Sequence, residues 1–138
     1  MAEGPIEDRL AIRERIEAYG DAVFRHDAEA WIANWAEDGV WRLPGIEVAG
    51  RARIKAAWEQ AMGAFAQAAF FSVSGEISVT GGAATARVYT QEVLVDHAGA
   101  VRRIVGAYDD TLVNQGGAWL FASRTYAILH DDTAGSGG

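Results

Sequence analysis

The chain has no cysteine, only two prolines and three histidines, and twelve basic residues against nineteen acids among 138. Without thiols there is no disulfide, no thiolate nucleophile and no thiolate metal site. The histidines, His26, His97 and His130, are scattered and form no H-x-x-x-H pair, so no metal is expected and no cofactor is called for. A formal net charge of −7 repels nucleic acid, and the few basics form no compact patch to override it. No apolar run approaches the roughly 18–20 residues of a membrane span. The opening MAEGPIEDRL has acids where a secretory leader needs a basic region, so a cytoplasmic protein is expected. Gly81-Gly82 and Gly116-Gly117 read as turns, because neither precedes a helix as a phosphate-binding loop must.

Half of the residues are hydrophobic and 22% are charged, the balance of an ordinary globular protein. The length fits one domain, residues 1–130, followed by a solvated, disordered tail, 131–138. Apolar residues Ile6, Leu10, Ile12, Ile16, Tyr19 and Val23 recur at helical spacing, predicting a helix over 6–26. Asp27 is placed to cap a second helix, 28–36, with Trp31, Ile32 and Trp35 inward. Glu37-Asp38-Gly39 reads as a turn and Val40–Leu43 as a short strand stopped by Pro44-Gly45, with Ile46–Gly50 pairing back on it. A third helix is predicted over 51–67. From residue 70 the period changes to two, and short turns separate four strands of an antiparallel meander. The expected fold is α+β: three N-terminal helices packed in the concave face of a strongly curved antiparallel sheet, a cone-shaped barrel whose mouth is a pocket.

Several motifs in this order resemble one family. They are I-x-x-x-L-x-I-R-x-x-I-x-x-Y ending at Tyr19, W-x-x-x-W-A-E-D-G-V-W at 31–41, I-S-V-T-G-G-A-A-T-A-R-V-Y at 77–89, and Gly106-x-Tyr108-x-Asp110-x-Leu112 followed by Gly117, Trp119 and Arg124. Over residues 5–130 the chain resembles the SnoaL-like polyketide cyclases of the nuclear transport factor 2-like superfamily, with ketosteroid isomerase, scytalone dehydratase and hexachlorocyclohexane dehydrochlorinase as relatives. The resemblance implies a cone-shaped α+β barrel. It also implies Tyr19 as a hydrogen-bond donor to substrate, Asp27 as its companion carboxylate and Arg124 as an electrostatic helper. The family's usual bases are missing. Leu43 stands where isomerase-like members carry Asp, Phe70 and Phe71 where dehydratase-like members carry His, and Ala22 where dehydrochlorinase-like members carry Lys.

Each candidate has two readings. Asp27 is a base, its pKa raised by Trp31 and Trp41, or a helix cap. Tyr19 is an oxyanion donor or a core tyrosine. Asp110 and Arg124 form a cross-strand pair that either orients the sheet or binds a substrate oxygen. Trp41, Trp58, Phe70, Phe71, Tyr89 and Tyr108 either line the pocket or fill the core. The leading expectation is a cofactor-independent lyase or isomerase. It acts on a small hydrophobic molecule, cyclic and polyketide- or terpenoid-like, by proton abstraction through Asp27, Tyr19 and Arg124. The alternatives are a non-catalytic binding module and an accessory subunit. A homodimer or higher homo-oligomer is expected, with no nucleic-acid or membrane partner.

Overall fold

The computed structural model describes residues 3–132. Helix α1 spans Ile6–Phe24. It buries Ile12, Ile16, Tyr19, Ala22 and Val23, whereas Ile6 and Leu10 in its first turns stay exposed. Its C-terminus turns at His26, which adopts φ 52°. The next amide, of Asp27, reaches back to Ala22 O at 3.0 Å, the bond of a Schellman-type ending. Asp27 then caps α2, Ala28–Ile32, its carboxylate accepting from Ala30 N at 3.0 Å.

The second helix is shorter than the expected 28–36. Buried Asn34 ends it: its side-chain amide donates to Ala30 O and Trp31 O, and its own carbonyl accepts from Phe121 N at 2.9 Å. Strand β1 therefore starts at Trp35 and runs to Leu43. β2, Ile46–Ala49, pairs back on it antiparallel, as the sequence suggested. Helix α3 covers Arg51–Met62 and stops five residues short of the expected 67, where Gly63 turns the chain. The long strands are β3 (Phe65–Thr80), β4 (Ala83–Asp96), β5 (Val101–Gln115) and β6 (Ala118–Asp131).

The six strands form one curved sheet in the order β2-β1-β6-β5-β4-β3. It is mostly antiparallel, but β1 and β6 run parallel, which hairpin lengths could not reveal. β3 slips register between Ser74 and Ile77, and β5 and β6 do so between Thr111 and Leu112. Such irregularities bend long strands and increase their twist. Tyr19 of α1 meets Phe70 of β3 and Phe121 of β6, at ring-centroid distances of 5.7 and 5.6 Å. Around it Trp31, Trp35, Trp41 and Trp58 form a continuous aromatic core. Gly20 allows α1 its close approach, since a Cβ there would sit 3.3 Å from the Phe70 ring. Asp131 closes β6 by receiving Arg102 at 2.7 Å. Of the expected tail 131–138, residues 133–138 lie outside the described residues. No helix among the described residues is long and apolar enough to cross a membrane.

Candidate functional site

Period-two alternation decides which side chains face inward. On β4 the buried set is Ala84, Ala86, Val88, Thr90 and Leu94; Glu92 belongs to the same face, an acid in an otherwise apolar row. On β5 the inward set includes Ile104, Tyr108, Asp110 and Leu112, and on β6 it includes Arg124 and Tyr126. Tyr108 pairs with Tyr126, and Asp110 with Arg124, directly across the two strands.

These side chains and those of α1, β1, α3 and β3 enclose a cavity of about 300 Å³. Its walls are aromatic and aliphatic: Tyr19, Trp41, Trp58, Phe65, Phe70, Tyr108 and Tyr126, with Val23, Leu43, Met62, Leu94 and Ile104. Two ionisable groups besides the phenols reach it, Glu92 and Arg102. Tyr126 OH donates to Glu92 Oε2 at 2.5 Å. To do so its ring crosses β5 above Gly106, where a Cβ would collide with the phenol. Burial pushes the Glu92 carboxyl above the ordinary carboxylate range, and the Tyr126 bond and the Arg102 charge pull it only partly back. Burial also raises the Tyr126 phenol, and the neighbouring Glu92 charge adds to that. Arg102 spends Nε and Nη2 on Asp131, at 3.4 and 2.7 Å.

Behind the cavity wall lies a second, closed arrangement. Arg124 donates through Nε and Nη2 to the two oxygens of Asp110, at 2.7 and 3.0 Å, with both side chains essentially inaccessible. Its guanidinium carbon lies 3.8 Å from the Tyr108 ring centre, 4.2 Å from Phe121 and 4.4 Å from Tyr19, a geometry favourable for cation–π attraction. Burial works against the Arg124 charge, but Asp110 outweighs it and holds the guanidinium protonated. Tyr108 OH accepts from Trp41 Nε1 at 3.3 Å. Burial raises the pKa of both Tyr19 and Tyr108, whose hydroxyls share a hydrogen bond, so both phenols stay protonated.

The structure thus brings Tyr19, Trp41, Trp58, Phe70 and Tyr108 together at one cavity, with Arg124 and Asp110 immediately behind it. It does not bring Phe71 and Tyr89 there. Adjacent strand residues face opposite ways, so Phe70 points in while Phe71 points out against Phe24, at 5.2 Å. Tyr89, between inward Val88 and Thr90, is likewise exposed. Asp27 is not among the lining residues. Its carboxylate caps α2 and lies 3.6 Å from Arg25 at a side-chain exposure of 36%. It is therefore partly exposed at the start of α2 and not enclosed by Trp31 and Trp41. The sequence reading missed Glu92, Arg102 and Tyr126 as lining groups. The signal was present: Thr90 and Glu92 are polar residues on the inward phase of an alternation that otherwise buries apolar side chains.

The family model of the SnoaL-like domain matches residues 4–125. No curated protein matches the chain. Among solved structures, the fold is shared with a protein from Novosphingobium aromaticivorans provisionally named a scytalone dehydratase. The TM-score is 0.85 at 20% identity, over 91% of this chain and 87% of that one. A second protein from the same organism, provisionally an aromatic ring hydroxylase, aligns at TM-score 0.83 and 27% identity over 93% of both chains. A type 2 hexachlorocyclohexane dehydrochlorinase, LinA, aligns at 0.82 and 13% identity, over 91% of this chain and 88% of that one. With its fold that of the nuclear transport factor 2-like proteins and the match running from before α1 into β6, the chain belongs to the SnoaL-like family.

Proposed function

We propose that this protein is a cofactor-independent enzyme acting on a small hydrophobic molecule inside the cone formed by sheet and helices, with Glu92 as the proton-transfer group. The observation that carries this reading is a partly buried carboxylate in an aromatic cavity, its ionisation disfavoured by desolvation and one oxygen held by Tyr126. A base whose pKa is raised toward the working pH transfers protons more effectively. Glu92 removes a proton from carbon beside a carbonyl, and the electron pair moves onto the carbonyl oxygen. The hydrogen-bonded phenol pair of Tyr19 and Tyr108 faces that oxygen and donates one proton to the developing charge. The Arg124 guanidinium lies over both rings and favours that charge from behind. Return of the proton at another carbon gives isomerisation; departure of a group from the β-carbon gives elimination. The names of two structural neighbours, a dehydratase and a dehydrochlorinase, are compatible with this class. In this reading Asp27 serves as the α2 cap.

Proton exchange tests the assignment directly. Cyclic ketones are incubated with the protein in deuterium oxide, and loss of the α-proton signal is followed by NMR. Glu92→Gln should slow exchange by about 10²–10⁴-fold. Unchanged exchange in that variant, or no exchange above background in the wild type, would remove Glu92 from the chemistry.

One observation favours a second reading, a binding module. Phe70 lines the cavity at the place where the family resemblance implies a histidine. We also propose a homodimer, formed through the outer sheet face on which Val73, Tyr89 and Val105 are exposed, and a cytoplasmic location.

A further inference from the structure

We infer that the cavity selects uncharged, hydroxyl-bearing ring compounds and rejects carboxylates. This deepens the proposed function and rests on its reading of the cavity as the site. Arg102 is the one cation among the cavity's lining residues, and two of its nitrogens are already occupied by Asp131. Arg124 stands behind the wall and is not among the lining residues; Nε and Nη2 are bound to Asp110, Nη1 is buried without a hydrogen-bond acceptor, and Tyr19, Tyr108 and Phe121 cover the guanidinium. An incoming carboxylate therefore meets no guanidinium whose charge is not already paired with a carboxylate of the protein. It meets Glu92 instead, and with Asp131 balancing Arg102 the wall carries one net negative charge whenever Glu92 is ionised.

Tyr126 takes one of the two Glu92 oxygens. The other is an acceptor, which a neutral ligand satisfies with a hydroxyl and a carboxylate cannot. An acceptor left unmatched once a ligand covers it, or a like charge brought beside it, is costly in such surroundings. The remainder of the wall is aromatic and aliphatic, and about 300 Å³ is room for a compact bicyclic skeleton. The matching chemistry is a flat, uncharged ring system with one hydroxyl directed at Glu92.

The test uses 2-naphthol and 2-naphthoate, which share a ring skeleton and differ in charge at pH 7.5. Affinities come from isothermal titration with wild type and Glu92→Gln, and the Trp41 indole N–H resonance locates the ligand. Support requires 2-naphthol to bind on the order of 10-fold or more tighter than 2-naphthoate while shifting the Trp41 signal. The gap must also narrow in Glu92→Gln because naphthoate gains affinity. Equal or tighter binding of naphthoate, or a gap unchanged in Glu92→Gln, overturns the selectivity and leaves the proposed function standing. If neither compound binds, or naphthol binds without moving the Trp41 signal, the cavity is not the site and both readings fall together.

Discussion

Glu92 carries opposite consequences for stability and for chemistry. Its carboxyl titrates above the ordinary range of about 4.3 in the folded protein, so between that value and its raised value the folded state holds a proton that the unfolded state has lost. Stability therefore falls as pH rises through this window and stays lower above it. Glu92→Gln keeps an acceptor for Tyr126 without the charge. It should raise the melting temperature at pH 8, with the gain vanishing near pH 4; each 1 kcal/mol is worth about 2–5 °C at this chain length. The rate has the opposite dependence. A base must be unprotonated, so kcat/KM of the wild type should rise with pH along a limb lying above the usual carboxylate range, and the variant should lose that limb. Asp110 and Arg124 behave differently, because each neutralises the other. Asp110→Ala strands a buried guanidinium and should cost about 3–5 kcal/mol in a urea titration, whereas Asp110→Leu combined with Arg124→Met should cost less than that single change. The Asp110 and Arg124 pairing was legible in the sequence as a cross-strand possibility. The inward phase of Glu92 was legible in the alternation of β4, but its role was not, because its partners Tyr126 on β6 and Arg102 on β5 are set by strand order.

Each element depends on a few local contacts that decide what the cavity contains. Asp27 starts α2, and replacing it with Ala removes one cap at about 1 kcal/mol; thermal denaturation should show that loss while proton exchange continues at the wild-type rate. A large fall in exchange without a fall in stability would return Asp27 to the mechanism. Gly106 is the strand position over which Tyr126 crosses to Glu92. Gly106→Ala should push the phenol aside and break its bond to Glu92, moving the Glu92 titration in carbon-detected NMR further upward as the carboxylate loses a donor. The elements of the sequence reading held where one period dominates, as in α1 and the β3–β4 and β5–β6 hairpins. They failed at two junctions. Trp31, Ile32 and Trp35 have helical spacing, yet Asn34 converts its backbone from helix to strand between them. Residues 65–69, FAQAA, favour helix by composition, but β4 offers Phe65 to Ala69 an antiparallel partner, and pairing overrides propensity.

At the scale of the molecule, the sheet has one face committed to helices and cavity and another that leaves Val73, Tyr89 and Val105 in solvent. If that face joins two copies, Val105→Arg should convert a dimer to a monomer in sedimentation velocity with ligand affinity retained. A monomeric wild type would reject the proposed assembly. The α+β class and the order of helices before strands were readable from the chain, because periodicity is local. The strand order was not, since the parallel pairing of β1 with β6 joins residues more than eighty positions apart. That pairing also has a bearing on biosynthesis. When β1 leaves the ribosome, only β2 among its partners follows closely, and its other edge waits until almost the whole chain has been translated. Until Phe121 reaches Trp35, a row of tryptophans has no wall on that side. The interval is long for apolar surface to stay uncovered, and a chain stalled after β5 would be a natural client for a chaperone.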